Sequence, residues 1–181
     1  QAWPLERVVS FLTPLCSALD SVHALGVVHR DLKPENIRVC AASLALGEEE
    51  PYDNKLEFIQ RSDLKPVVLD FGIAKSESSQ EMTRTGMLMG TVAYMAPEQV
   101  DAKSVGPAAD RYALGLIVYE LLSGQRPWDR DTSEGRIYTI KLQGGLIPLH
   151  YVTDTVTERV SQVAMKMLSK RPQDRYSSCD E

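Results

Sequence analysis

The stretch VVHRDLKPEN, residues 27–36, places a histidine, two acidic side chains, two cations and an amide behind an apolar run. Phosphoryl transfer needs a carboxylate that orients and deprotonates a hydroxyl, a cation near the moving group, and oxygen ligands for Mg²⁺. Asp31 offers the base, Lys33 the cation and Asn36 an oxygen ligand, while Pro34 stiffens the turn between them. The stretch can therefore hold a phosphate and a metal, and an exposed polar loop is the alternative.

A second metal ligand has to come from elsewhere in the chain. Asp70 is the candidate, because it follows the apolar residues of PVVLDFG (66–72), which predict a short strand. The glycine at position 72 lets the backbone turn directly after the carboxylate. We therefore expect Asn36 and Asp70 to share one Mg²⁺ site.

Composition narrows the class of protein. The 181 residues are 43% hydrophobic and 25% charged, which fits one globular domain, and the net charge of −5 argues against bulk binding of nucleic acid. No apolar run has the length of a membrane-spanning helix, and no signal peptide opens the chain. The cysteines at 16, 40 and 179 are scattered without metal spacing, which favours a reducing, cytoplasmic compartment. Tethering to a membrane through segments outside this chain stays open.

Periodicity predicts a mainly helical chain with two short strands. Apolar residues at helical spacing predict helices over 5–25, 109–122, 133–143 and 155–168, and Pro14 allows a kink or a late start in the first of them. The strands are IRVC (37–40) and PVVLDFG (66–72), and the aperiodic, acidic segment between them is predicted to be an exposed insertion at about 40–65. The stretch 73–92 is predicted to be a mobile loop.

Three motifs, in order, carry a resemblance to a known family. HRDLKPEN (29–36), DFG (70–72) and APE (96–98) occur in the order and roles of the protein-kinase signature set. GTVAYMAPEQ (90–99), DRYALGLIVYELLSGQRPW (110–128) and RPQDRY (171–176) add further matches. The sequence therefore resembles the catalytic domain of eukaryotic-like Ser/Thr protein kinases, including the bacterial group, over nearly the whole chain apart from the insertion.

The resemblance implies a fold and a division of the domain. It implies the lower, C-terminal lobe of a kinase, which is mainly α with a short β-hairpin, so residues 1–181 are expected to be a partial kinase domain. The resemblance makes HRDLKPEN (29–36) the expected catalytic loop. No GxGxxGxV motif and no VAIK lysine precede this loop in the chain. The β-rich N-terminal lobe is therefore expected to be absent from it, and these residues alone are expected to be inactive.

The resemblance also implies which residues act on the substrates. Asp31 is expected to be the catalytic base and Lys33 to contact the γ-phosphate. The expected cofactors are ATP and Mg²⁺: Lys33, Glu35, Asn36 and Asp70 form the cofactor-binding set, with Asn36 and Asp70 as metal ligands. A lysine at position 33 resembles the pattern of Ser/Thr kinases. The expected partners are therefore proteins that present Ser or Thr, and no binding of nucleic acid is expected. A pseudokinase-like scaffold that binds without turnover is the alternative, and the intact Asp31, Asn36 and Asp70 favour the enzyme.

Further residues are expected to regulate or support the site. Arg30 is expected to pair with a phosphate on Thr83 or Thr85, and Thr91 to shape the substrate site. The structural residues implied by the resemblance are His29 stacked on Phe71, Asp110 capping amides of the catalytic loop, and a buried Glu98–Arg175 ion pair. An ordinary helix N-cap is the alternative role for Asp110. Arg38 stands where the family usually places an apolar residue under the adenine ring, and its stem can still cover that ring.

Overall fold

The structure, a computed structural model, describes residues 2–41, 64–71, 92–100, 105–129 and 131–181. It is mainly helical, as predicted. The helices are α1 (Leu5–Ala24), α2 (Pro97–Val100), α3 (Pro107–Ser123), α4 (Glu134–Gln143) and α5 (Glu158–Met167), with short 3-10 turns at Pro34–Asn36, Leu149–Tyr151 and Pro172–Asp174, and the strands are β1 (Ile37–Ala41) and β2 (Leu64–Val68). In the described part of the chain, no helix combines the length and apolar character needed to cross a bilayer.

The two strands form an antiparallel hairpin that brings distant polar residues together. Ile37 pairs with Val68 at one end of the ladder, and Ala41 pairs with Leu64 at the other. The residues that precede β1 and follow β2 therefore lie side by side, and the amide of Leu69 donates to the carbonyl of Asn36 at 2.8 Å. The prediction for the second strand was wrong at both ends. It starts at Leu64 and stops at Val68, so that LDFG follows the strand instead of ending it.

The first helix buries one face in the core, and the chain continues from its C-terminal end into the catalytic loop. Val8, Leu12, Leu15 and Leu19 recur at helical spacing and are buried in the core. The helix continues through Pro14, so no late start follows from that residue. Gly26, with a positive φ of 76°, then turns the backbone toward residues 27–36.

Helix α3 lies at the centre of the core. Its buried residues face all sides, as the sequence predicts for 109–122, and the helix extends from Pro107 to Ser123 with a left-handed cap at Gly124. Gly115 permits a close approach to α5, because a Cβ at that position would lie 2.8 Å from the Cβ of Met167. The helix thus packs against α5 on one side and α1 on another.

Helices α4 and α5 are both shorter than predicted at their N-terminal ends. Ser133 is the N-cap of α4, which begins at Glu134. Helix α5 begins at Glu158 because Thr157 is its N-cap: the Thr157 hydroxyl accepts a hydrogen bond from the amide of Val160 at 3.4 Å. The predicted start at Thr155 was therefore too early.

Candidate active site

Asp110 holds the backbone at the start of the catalytic loop. The side chain is 1% exposed, and its two oxygens accept hydrogen bonds from the amides of His29 and Arg30, at 2.8 and 2.9 Å. Asp110 lies in the first turn of α3, whereas the N-cap of that helix is Gly106. The alternative role as an ordinary helix N-cap is therefore wrong, and the carboxylate caps the loop instead.

His29 connects the catalytic loop to the DFG segment. Its Nε2 lies 2.9 Å from the carbonyl oxygen of Leu69, which can only accept, so Nε2 carries the proton. Its Nδ1 then accepts from the amide of Asp31 at 3.2 Å. The imidazole also packs against Phe71, with ring centroids 4.9 Å apart and ring planes tilted by 54°, so the predicted contact is present but is not a parallel stack. The structure thus brings His29 and Phe71 together, and the neutral ring ties Asp31 to the segment that carries Asp70.

The three polar groups of the loop converge on one another. Lys33 Nζ lies 3.4 Å from Asp31 Oδ2, and the amide nitrogen of Asn36 donates to the Asp31 carbonyl at 2.7 Å. A longer contact of 3.3 Å joins the same nitrogen to Asp31 Oδ2. Because the Asn36 nitrogen faces Asp31, its amide oxygen is the atom that can bind a cation.

Asp70 and Arg30 both occupy backbone conformations that favour glycine. Their φ angles are 53° and 65°. Non-glycine residues in this region are uncommon and cluster at functional sites, where the surrounding contacts hold them in place. Asp110 holds Arg30, and the residue before Asp70 is held by the hydrogen bond from the Leu69 amide to the Asn36 carbonyl. The Asp70 side chain is exposed, so its carboxylate is accessible to a ligand.

The donor set fits a magnesium ion. Mg²⁺ prefers hard oxygen ligands and is often held by one or two carboxylates with substrate phosphates and water. The amide oxygen of Asn36 and the carboxylate of Asp70 are such ligands, and the contact between Asn36 and Leu69 places their backbones next to each other. These two residues would hold the ion.

Lys141 was missed by the sequence analysis. Its ammonium donates to the carbonyls of Val92, Ala93 and Met95 at 2.7–2.8 Å. The side chain is 1% exposed, and burial lowers its pKa to about 7. Lys141 follows the buried Ile137 by one helical turn, so its position on the buried face of α4 was the available signal. Lys141 thus holds the backbone of residues 92–95, which belong to the quoted motif GTVAYMAPEQ (90–99).

Gln99 is a second residue that the sequence analysis did not assign. Its amide nitrogen donates to the carbonyl of Arg30 at 2.7 Å, and its amide oxygen accepts from the amide of Ala96 at 2.9 Å. The side chain therefore bridges the segment before α2 and the catalytic loop. Gln99 ends the motif APEQ, but nothing in the local pattern of this motif indicates a partner for Gln99 that lies 69 residues away.

Glu98 and Arg175 are brought into contact. Arg175 donates from Nη1 to Glu98 Oε1 at 2.6 Å and from Nη2 to Oε2 at 2.8 Å. The Arg175 side chain is 0% exposed. Its remaining N–H groups donate to the carbonyls of Ala108, Ser169 and Lys170. Every donor of the guanidinium is satisfied, which is what a buried charge requires.

The remaining predicted residues divide into two groups. Glu35 and Arg38 are exposed, and Arg38 lies opposite Val67 in the hairpin. Thr83, Thr85 and Thr91 lie outside the described residues, as do most of the predicted insertion and most of the predicted loop 73–92.

Comparison with known proteins gives consistent results. The family profile described as "protein kinase domain" matches residues 2–181. Serine/threonine-protein kinase Pkn1 of Myxococcus xanthus is 37% identical over 174 residues, which cover 94% of this chain and 22% of that protein. Serine/threonine-protein kinase PknH of Mycobacterium bovis is 33% identical over 175 residues, which cover 97% of this chain and 26% of that protein. The chain thus spans about a quarter of the length of these relatives.

A solved structure supports the fold. The crystal structure of the Mycobacterium tuberculosis PknI kinase domain aligns with 99% of this chain and 54% of its own, with a TM-score of 0.63 and 24% identity. At that identity the likeness concerns the fold alone. It agrees with the predicted fold class, a mainly helical fragment with a short hairpin.

Proposed function

This chain belongs to the protein kinase domain family, and from this premise we propose that it carries the catalytic loop of a Ser/Thr protein kinase. The proposed reaction moves the γ-phosphoryl group of ATP to a Ser or Thr hydroxyl of a protein. The observation that carries the proposal is the convergence of Asp31, Lys33 and Asn36, with Lys33 Nζ 3.4 Å from Asp31 Oδ2 and the Asn36 nitrogen 2.7 Å from the Asp31 carbonyl.

The proposed roles follow from the chemistry of each group. Asp31 accepts the proton of the substrate hydroxyl while the oxygen forms its bond to the γ-phosphorus and the bond to the leaving ADP breaks. Lys33 supplies positive charge next to the transferred group. Asn36 and Asp70 would hold Mg²⁺, which neutralises phosphate charge when bound. Asp110 and His29 keep the loop in place through their hydrogen bonds to its backbone.

The test of turnover is Asp31→Asn in the complete kinase domain, with the exposed Asp129→Asn as matched control. We expect kcat for a generic Ser/Thr substrate to fall by roughly 10²–10⁴-fold, the usual contribution of a general base. MgATP affinity should change little, because Asp31 is not one of the proposed metal ligands. Turnover of Asp31→Asn equal to that of the control would refute the assignment, and a wild-type domain that binds MgATP without turnover would favour the scaffold.

The metal ligands are tested separately by Asp70→Ala. Removing one of two proposed oxygen ligands should abolish the Mg²⁺-dependent part of nucleotide binding, measured by titration of ATP with and without Mg²⁺. The control is again Asp129→Asn, which should keep that dependence. An Asp70→Ala domain whose MgATP affinity equals that of the wild type would remove Asp70 from the metal site.

Residues 1–181 by themselves are proposed to be inactive. They contain no glycine-rich loop and no VAIK lysine, the groups that cover and position the phosphates in this family. Positioning of the reacting groups supplies much of the rate acceleration in phosphoryl transfer, so its loss should abolish measurable turnover. A radiolabelled-phosphate transfer assay on this stretch should give no product, and transfer that disappears in Asp31→Asn would contradict the proposal.

We also propose that the reaction takes place in the cytoplasm, where thiols stay reduced.

A further inference from the structure

Three side chains outside the proposed ATP-binding set bring metal-binding atoms together. Asp20 and His23 lie on α1, and Cys179 comes from the end of the described chain. One ligand atom from each lies within 4.8 Å of the ligand atoms of the other two, and His23 Nδ1 lies 3.8 Å from Asp20 Oδ1. Tetrahedral zinc with such ligands has ligand atoms about 3.3–3.6 Å apart, as metal–ligand lengths of about 2.0–2.3 Å require. The three groups therefore need only small adjustments to share one ion.

The imidazole of His23 presents a lone pair to this cluster. Its Nε2 lies 2.8 Å from Asp110 Oδ2, and because a carboxylate accepts, Nε2 carries the proton. In the neutral ring Nδ1 is then an acceptor. That atom is buried, has no hydrogen-bond partner, and belongs to a side chain that is 6% exposed. Nδ1 is therefore a buried acceptor without a donor, next to a carboxylate and a thiol. Such an atom is available to bind a metal ion.

The backbone holds the other two ligands in place. Both oxygens of Asp20 accept from the amide of Cys179 at 2.9 Å, and Oδ2 also accepts from the amide of Asp180 at 3.0 Å. The Cys179 thiol also hydrogen-bonds to Asp20, and this contact is the one that a bound cation would replace. The contacts with the amides fix the Cys179 backbone against α1. The cluster is therefore preformed, although its members are 159 residues apart.

We propose that Asp20, His23 and Cys179 form a binding site for Zn²⁺. The mixture of sulfur, nitrogen and carboxylate oxygen is the ligand set that zinc accepts, whereas Mg²⁺ and Ca²⁺ require oxygen alone. Binding forms the zinc–sulfur bond of Cys179 and releases its thiol proton to solvent. The Asp110–His23 hydrogen bond is the outer-shell contact that orients a metal-binding imidazole. Asp110 also accepts hydrogen bonds from the amides of His29 and Arg30. The bound ion would therefore stabilise the catalytic loop through His23 and Asp110.

The test uses Zn²⁺ and Co²⁺ as probes on the protein that carries its complete kinase domain, with excess Mg²⁺ present to occupy oxygen-only sites. We expect one equivalent of Zn²⁺ to survive dialysis, and Co²⁺ to give the thiolate-to-cobalt charge-transfer band of a cysteine-ligated ion. Cys179→Ser should weaken binding by roughly 100-fold or more, since even outer-shell changes cost about 10–100-fold. Cys40→Ser is the matched control, because Cys40 is a half-buried free cysteine on β1, and it should bind normally.

A second measurement needs no variant and so does not depend on the fold of Cys179→Ser. Zn²⁺ should slow alkylation of Cys179 in the wild-type protein and leave the rate at Cys40 unchanged, as followed by peptide mass spectrometry. Absence of the charge-transfer band in the wild type, its retention in Cys179→Ser, or equal alkylation of Cys179 with and without Zn²⁺ would each overturn the site. None of these readouts depends on kinase activity, so the zinc site and the proposed function fail separately.

Discussion

Arg175 and Glu98, which are 77 residues apart in the sequence, form a buried two-point ion pair with N–O distances of 2.6 and 2.8 Å. The guanidinium also lies 4.8 Å from the centre of the Tyr112 ring in α3. A pair of this kind gives register to the chain more than raw stability, because both charges had to leave water. It ties the start of α2 to the segment after α5.

Arg175→Ala should destabilise the domain by about 3–5 kcal/mol, because it leaves the Glu98 carboxylate buried and unpaired. The measurement is the free energy of unfolding in urea. Arg171→Ala is the matched control: Arg171 also pairs with an acid, Asp174 at 2.6 Å, but both side chains are exposed, so little change is expected. Equal losses in the two variants would show that burial of the Glu98 pair carries no special cost.

Asp110→Asn should loosen the catalytic loop. The amide group cannot accept with both of its terminal atoms, so at least one hydrogen bond from His29 or Arg30 is lost, at about 1.5–3 kcal/mol for a charged acceptor. Hydrogen exchange should become faster at these two amides. Asp129→Asn, an exposed change of the same chemistry, should leave their exchange rates as they are. If Asp110→Asn keeps the wild-type rates, the loop is held by other contacts.

Lys141→Met should change how stability depends on pH. Burial lowers the folded-state pKa of Lys141 to about 7, from a reference value of 10.5. Between these two values the unfolded chain binds more protons than the folded one, so the contribution of Lys141 to the free energy of unfolding rises with pH. The difference between wild type and Lys141→Met should therefore shift in favour of the wild type from pH 7 upward.

The control for this pH profile is Lys166→Met. Lys166 is exposed and lies 4.0 Å from the centre of the Tyr176 ring, so removing it tests the loss of a surface cation. Its difference from the wild type, measured at each pH, gives the baseline for removal of a surface cation. A Lys141→Met profile that does not differ from this baseline would mean that Lys141 keeps its proton throughout, held by its three carbonyl acceptors.

Phosphorylation is predicted on Thr83 or Thr85, which lie between the DFG and APE motifs. Arg30 is the cation proposed to receive the phosphate, and pairing of this kind orders a loop. Mass spectrometry of active enzyme should find the modification, and the double Ala variant should lose most of its activity. Ser133→Ala, on the exposed N-cap of α4, is the control that should stay active. Full activity of the double variant would remove this mode of regulation.

Much of the site could be predicted from short motifs. Asp31, Lys33 and Asn36 fall within six consecutive residues that end in a 3-10 turn, so local chain geometry already brings them together. The apolar pattern of 109–122 predicted a central helix, because a helix with apolar residues on every side can only be buried. The pairings of His29 with Phe71 and of Glu98 with Arg175 came from the resemblance, and both are present.

The order of residues was enough to predict the fold class, the family and the proposed chemistry of residues 29–36, because each depends on residues that are neighbours in the chain or recur with a regular period. The resemblance implied the partners of Asp110, whereas those of Gln99, Lys141 and His23 became known only from the folded chain. These last three side chains contact groups at least 46 residues away, so nothing in their local pattern marks them. The same holds for Cys179, which was one of three scattered cysteines until the packing of the chain end against α1 placed it beside Asp20. Burial gives such residues their roles, since a polar group removed from water must find its partner wherever the fold supplies one.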